Sequence, residues 1–581
     1  MQMDFKRILL MVVFAFSVIM LWEKWTAYNA PKQVPVAAQS ATTSNPGGAV
    51  PAPMSSSASA TASAGVAPVP GVTDGKVSPY SDVPRAVVKT DTMIATVSAQ
   101  GGDIIRVELT QHKISNDQRS WPTLLKSIFS SDKADENQAK NFVVLQDQGD
   151  HFYVANSGFT SDGLPNHKTL FDLKGGEYSL KDGEDSLQLR LQAPVVNGVA
   201  VTKVLTFHRD SYVIDIAYEV NNAGTAALNT TAYFQLARDD KPTEHSAGMF
   251  GGVSSFTGPA VYTDAGKFQK IEFKKIASNE AKYVSTAKDG WIAMVQHFFV
   301  SAYLPKVGEQ HEFFTHKISE GIFGAGVKLP VAVAAGQKAT LDVPLYVGPQ
   351  EQNKLKALAP GFNLVVDYGW VTIIAVPLFW LLSTIHGFVG NWGWAIILVT
   401  LLIKAAFFPL SAASYKSMAK MKTLMPRMKQ LQDRYKDDKM KLNQAMMELY
   451  KTEKVNPMGG CLPILIQMPV FIALYWVLLG VVEMRQAPWM FWITDLSVKD
   501  PYFILPLIMG ATMLIQTRLN PTPADPVQAK VMLLMPVMFT FMFLWFPSGL
   551  VLYWVLNNAL SIAQQWYINR MIERGGAKPA N

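Results

Sequence analysis

The chain has 581 residues, room for about three or four domains at the usual 100 to 200 residues each. Charged residues make up 17%, against about 25% in soluble globular proteins. Residues 457 to 569 carry only eight of them (Glu483, Arg485, Asp495, Lys499, Asp500, Arg518, Asp525, Lys530), which excludes an ordinary soluble enzyme and a fully disordered chain, while the net charge of +7 gives no nucleic-acid footprint and a lone Cys461 excludes an intrachain disulfide.

Lys6 and Arg7 precede an uncharged, mostly apolar run over residues 8 to 22, the pattern of a signal peptide or a retained anchor. No A-x-A site follows it closely, so residues 1–30 are read as an N-terminal transmembrane anchor. Residues 33 to 73 hold no charge and are rich in Ala, Ser, Thr, Pro and Gly. Such a segment cannot bury enough apolar surface to order itself, so 31–82 is read as a disordered tether. The hydrophobic period then becomes two: Tyr212, Ile214, Ile216, Tyr218 and Val220 alternate with polar or small neighbours, as do Leu187, Leu189 and Leu191. Turn signals stand at Asp182-Gly183, Asn197-Gly198 and Asn221-Asn222-Ala223-Gly224. Residues 83–350 are therefore expected to form one large, mostly antiparallel β domain outside the cytoplasm, as a sandwich.

The rest of the chain reads as membrane. Apolar spans are expected at about 392–412, 458–482, 502–517, 531–546 and 549–568, which with the anchor makes six. Between residues 413 and 456 eleven Lys or Arg face five acids, so the positive-inside rule places this hairpin in the cytoplasm. An additional span at 370–389 would reverse that orientation. This segment is instead read as an amphipathic helix on the outer membrane face, within a connecting region 351–391. The basic tail, 570–581, is expected inside. Two of the spans have only 16 residues, or about 24 Å against a hydrocarbon core of about 30 Å. Either the bilayer thins around them or flanking residues extend the helices.

No metal spacing, P-loop, G-x-S-x-G or dinucleotide fingerprint appears, and no cofactor, metal or catalytic residue is expected. The unusual residue is Lys404, alone in an apolar run. It either snorkels toward the near headgroups or faces a wet cavity. Thr400 stands one turn before it, Gln467 lies in the longest span, and Asn557 and Asn558 lie in the last, so several polar groups at membrane depth could line one hydrated pocket. Eighteen of the 26 Met residues follow residue 400, and thioether side chains suit variable partners. In the basic loop Met418, Met421, Met425, Met428 and Leu431 recur at helical spacing, Asp437-Asp438 interrupts, and Leu442, Ala445, Met446 and Leu449 resume it, which predicts a helical hairpin. Its basic face carries Lys416, Lys420, Lys422, Arg427, Lys429 and Arg434.

The runs KVNPMGGCLPILIQMPVF (454–471), RQAPWMFWITDLS (485–497), DPYFILPLIMG (500–510) and LWFPSGLVLYW (544–554) resemble the YidC family of bacterial membrane protein insertases. VDYGW (366–370) and HGFVGNWGWAII (386–397) resemble it too. The resemblance implies a polytopic α-helical inner-membrane protein with both termini cytoplasmic and a large periplasmic β-supersandwich domain, acting as insertase and chaperone without ATP hydrolysis. It implies a hydrophilic groove open to cytoplasm and lipid, with Lys404 at the basic position where many relatives carry Arg, and Thr400 and Gln467 at matching polar positions. Met468, Phe471, Tyr553, Trp554 and Asn557 are expected to complete the client-contact surface. Implied partners are nascent membrane proteins, the Sec translocon with its accessory subunits, the ribosome and membrane lipids. Two other readings stay open on the residues alone: a secondary transporter of a small anion, and a membrane-anchored periplasmic binding module.

Overall fold

The alternating segments become strands wherever one face meets the core. Along Val213–Asn222 every second residue is buried, placing Ile214, Ile216, Tyr218 and Val220 inward. Asn197 and Gly198 both have positive φ, +53° and +75°, and they join Val196 to Val199 in a two-residue turn. That is the left-handed geometry for which an Asn-Gly pair is suited. The computed structural model describes residues 80–114, 140–149, 151–241, 256–435, 438–453, 462–520 and 526–575. All belong to one unit, Val66–Asn581. The expected anchor, nearly all of the tether and residues 576–581 of the tail lie outside the described residues.

Eighteen strands form two sheets among the described residues, one of ten and one of eight. In the larger, Leu228–Asp239 pairs antiparallel with Ile322–Val333 on one side and Tyr153–Phe159 on the other. In the smaller, Val213–Asn222 runs between Val199–His208 and Lys338–Pro349. Pairing is antiparallel except where Arg85–Lys89 meets Gly176–Ser179. The apolar core between the sheets continues through Leu355, Phe362 and Tyr368 into the helices without a break.

Eight helices of fourteen residues or more follow among the described residues: α1 Thr372–Val389, α2 Trp392–Ala406, α3 Phe408–Arg434, α4 Lys439–Thr452, α5 Leu462–Gly480, α6 Ile504–Leu519, α7 Pro526–Phe543 and α8 Ser548–Gly575. Three differ from expectation. The apolar run ending near residue 412 is not one helix: α2 stops at Ala406, and α3 leaves at a bend of 64°. Pro409 is the reason. It stands in the first turn of α3, where its missing N–H costs nothing, whereas within a continuous helix it would break the ladder. The last helix runs on to Gly575, so the start of the basic tail is helical, and Arg570 lies 5.2 Å from the Trp566 ring. Finally, α1 is not amphipathic. It buries Ala375, Leu378, Phe379 and Leu382, while Ile373, Val376, Trp380 and Phe388 stand exposed on the opposite face, an apolar surface suited to lipid.

The five expected spans that follow the anchor are not recovered as single spans by length and composition among the described residues. Among the described residues only Gly369–Val389 is long and apolar enough alone; α2 and α3 qualify only as a bent pair, and Ile466–Gly480, Ile504–Leu519 and Lys530–Phe543 are shorter. The ends of α1 meet a single segment of the chain. Tyr368, just before it, packs beside Gly480 at the end of α5. Asn391, just after it, donates to the Pro488 carbonyl at 2.9 Å.

Candidate functional site

Helices α2, α5, α6, α7 and α8, with the first turns of α3, enclose a cavity of about 380 Å³. Its polar lining comprises Lys404, Ser411, Ser414, Tyr415, Gln467, Gln516, Thr517, Asn520, Asn557, Asn558 and Ser561. Its apolar lining is rich in Met and aromatic residues: Met418, Met468, Phe471, Met513, Met532, Met535, Tyr553 and Trp554.

Lys404 does not snorkel. It is 6% exposed, and its Nζ crosses to α8, donating to Ser561 Oγ at 2.7 Å. The Ser561 hydroxyl donates in turn to the Asn557 carbonyl at 2.7 Å, so only its lone pairs face the ammonium. Gln467 Nε2 is buried with no hydrogen-bond partner among the described residues, leaving a donor for a ligand or water in the cavity. Asn558 Nδ2 donates to Thr512 Oγ1 at 3.4 Å and Gln565 Nε2 to Asn520 Oδ1 at 3.2 Å, both tying α8 to α6. Seven of the eight residues singled out in the sequence thus line one cavity: Lys404, Gln467, Met468, Phe471, Tyr553, Trp554 and Asn557. Thr400 does not. It is buried and its hydroxyl donates to the Ile396 carbonyl of its own helix at 2.6 Å, the local alternative open to any helical threonine.

Sequence reasoning missed Ser411, Ser414, Tyr415, Gln516, Thr517, Asn520 and Ser561. For Ser561 a signal existed, because it stands four residues after Asn557 and therefore on the same helix face. The two serines and Tyr415 come into reach only because α3 bends away from α2.

At the end nearer the β domain the cavity is closed. Phe471 packs 4.7 Å from Trp554, and Phe543 packs 5.5 Å from Trp554 and 4.9 Å from Phe546. Beyond these rings the loop between α5 and α6 knits the helix ends together. Asn391 Oδ1 caps α2 by accepting the Trp394 N–H at 3.1 Å. The Trp489 ring fills the space where Gly393 lacks a Cβ. The N–H groups of Ser548 and Gly549, at the start of α8, donate to the carbonyls of Val498 and Leu496 at 2.7 and 3.0 Å. Asp500 accepts from the Leu505 N–H at 2.7 Å and from Trp492 Nε1 at 3.0 Å, which satisfies one first-turn N–H of α6 and holds the loop to it. The runs RQAPWMFW, NWGW and FPSGLVLYW, remote in sequence, are therefore one seal.

At the other end α3 and α4 form the predicted hairpin. Leu424 and Met428 are buried against Met446, Leu449 and Tyr450, and Arg427 pairs with Glu453 at 2.5 Å. Lys416, Lys420, Lys422, Arg427, Lys429 and Arg434 are all exposed. Asp438 caps α4, accepting the N–H groups of Met440 and Lys441 at 3.1 and 3.0 Å. Asp438→Ala is expected to weaken the start of α4, seen as faster hydrogen exchange confined to residues 440 to 452.

A family profile described as "60Kd inner membrane protein" matches residues 384–575, and one described as "YidC periplasmic domain" matches residues 85–381. The chain is 57% identical over 586 residues to a protein of Aromatoleum aromaticum named "Membrane protein insertase YidC", covering all of both chains. A protein of the same name from Dechloromonas aromatica is 52% identical over 581 residues, covering all of this chain and 99% of its own.

Proposed function

The chain belongs to the YidC family of membrane protein insertases, and on that premise we propose that it inserts clients through the cavity between α2 and α8, with Lys404 as its charged contact. Insertase function decides against the anion transporter and the anchored binding module. It also makes the chain an inner-membrane protein with a periplasmic β domain, whose substrates are nascent membrane proteins.

The physical problem is that a client's polar flank must cross a slab where each unsatisfied group costs several kcal/mol. A polar recess reaching into that slab shortens it. The observation that carries the reading is the burial of a lysine whose described partner is a neutral hydroxyl, Ser561. Such an ammonium retains donors and charge for an acidic or polar segment, while Met468, Phe471 and Tyr553 offer the apolar side along which a hydrophobic helix leaves. The exposed bases of α3 would meet the ribosome or anionic headgroups. Contact with the Sec translocon belongs to the same proposal.

The topology we propose keeps six spans, counting the N-terminal anchor, with both termini in the cytoplasm and α1 lying along the periplasmic face. The contacts of α1 support this. A helix of 18 residues is about 27 Å long, yet both of its ends touch the loop segment 480 to 488. Were α1 to cross the bilayer, that segment would cross too and carry Glu483 and Arg485 through hydrocarbon, at a prohibitive cost.

Thiol labelling tests the groove. With Cys461 replaced by alanine, a cysteine at Gln467 or Asn557 should react with a charged reagent supplied from the cytoplasmic side of inverted vesicles and stay unreactive from the periplasmic side. Protection from the cytoplasmic side, or equal reaction from both, contradicts a recess open only inward.

A further inference from the structure

The strand Leu228–Asp239 lies inside the larger sheet of the β domain. Its Arg238 shares a face with Phe234 and Leu236, which belong to the core between the sheets. The register neighbours of Arg238 are Tyr153 and Phe323, both members of the same core. Arg238 is 2% exposed. Its guanidinium lies 5.3 Å from the Tyr153 ring, and Nη1 has no hydrogen-bond partner among the described residues. Two hydroxyls at this place are in the same state. The oxygens of Tyr153 and Ser301 are buried and unpartnered, with Tyr153 turned toward Ser301 on the strand Phe299–Tyr303 of the smaller sheet.

This is a buried charge that lacks a counter-charge. A guanidinium keeps its proton inside a protein, and one aromatic face offsets only part of the hydration it has lost. Among the described residues the carboxylate that acts on it is Asp239. As the next residue of the strand, Asp239 points to the opposite face, where it accepts the Phe152 N–H at 2.7 Å and stands 3.3 Å from His151 Nδ1. Burial raises the Tyr153 phenol above its ordinary range, so no phenolate compensates either.

A water molecule here would accept hydrogen bonds and leave the charge as it was. A monovalent anion does both: it accepts from every N–H or O–H aimed at it and cancels the charge, and it asks for no donor to be accepted in return. The apolar walls made by Tyr153, Phe323 and Leu236 favour an ion that sheds its hydration easily, chloride or bromide before fluoride or sulfate. We propose that Arg238, Tyr153 and Ser301 form a halide site between the two sheets of the β domain, where one chloride neutralises the arginine and ties the larger sheet to the smaller. The site is separate from the groove, and either can fail without the other.

The test uses the full chain in detergent. Amide exchange is followed at Ala155 and Leu236, which face each other on neighbouring strands, while bromide replaces gluconate at constant sodium concentration, ionic strength and pH. The Val551 amide, bonded to the Pro547 carbonyl in α8, is the control. One ion held by the folded form and none by the open form slows exchange about tenfold for each tenfold rise in bromide above the dissociation constant. Arg238→Met, which replaces the charge by an apolar side chain, should abolish this dependence and exchange no faster than the unsubstituted chain in gluconate, since an uncompensated charge is gone. Ser301→Ala keeps the charge and loses one donor, so it should need about tenfold more bromide for the same protection. Crystals of the full chain grown in bromide should show an anomalous peak against Arg238 Nη1. Exchange that ignores bromide, a dependence that survives Arg238→Met, or equal protection at Val551 would each overturn the proposal, and the first would leave water as what meets Arg238.

Discussion

Replacing Lys404 with alanine is expected to lower insertion of a client with an acidic flank by about tenfold or more, while Lys404→Arg restores it. A tenfold effect needs only about 1.4 kcal/mol. Two unit charges 4 Å apart at an effective dielectric constant near 20 attract by about 4 kcal/mol, so a third of that suffices. The geometry makes the charge available. Lys404 reaches Ser561 Oγ, a neutral acceptor, and the distance of 2.7 Å is that of a hydrogen bond and no ion pair. Arginine keeps the charge and adds donors, although a single hydroxyl cannot engage its planar fork twice. A client whose flank is neutral should lose less on Lys404→Ala than the acidic one, because only the polar character of the cavity then acts. Insertion of the two clients into vesicles carrying purified variants is the measurement. Equal, undiminished rates for both clients with Lys404→Ala would remove the electrostatic role altogether.

Much of the architecture was legible because local pattern and burial agree. The alternation from Tyr212 to Val220 has its inward residues buried, and the two-helix hairpin follows from a period that Asp437-Asp438 interrupts. The bend at Phe407 was written in Pro409, but unbroken apolarity through residue 410 outweighed it, since hydropathy reports environment and is silent on helix direction. Thr400 misled for a related reason: spacing gives a residue's face, not whether its hydroxyl is spent on its own backbone. Ser561 and Lys404 are 157 residues apart, and Arg485 Nη2 and the Lys113 carbonyl that accepts it are 372 apart. No periodicity joins such pairs. Arg485 did stand out as one of eight charges in 113 positions, yet its partner is a backbone carbonyl, which has no signature in sequence.

The loop that carries Arg485 holds a second buried group, and Glu483→Gln is expected to stabilise the protein at pH 7.5 while changing it little near pH 4.5. The residue is only partly buried, but its Oε2 has no solvent contact and no partner among the described residues. Burial first, and then the carboxylate of Glu351, raise the Glu483 carboxyl from an ordinary 4.5 to about 7, against the opposing pull of the Gln352 backbone N–H. Tyr368, buried and neutral, is the other titratable group facing it. An acid whose folded value is raised binds its proton more tightly when folded. The stability tied to it is complete below about pH 4.5 and falls as pH climbs to about 7, where folding must accommodate an ionised carboxylate. At and above that pH the loss amounts to at most about 3 kcal/mol. Glutamine keeps the shape without the charge, so the variant should not share the decline. Thermal midpoints of the two proteins in one detergent should therefore coincide near pH 4.5 and separate steadily toward pH 7.5, with Glu483→Gln higher. Parallel profiles would mean that the carboxylate reaches water, and that the junction between Gln352 and Glu483 is looser than the packing described.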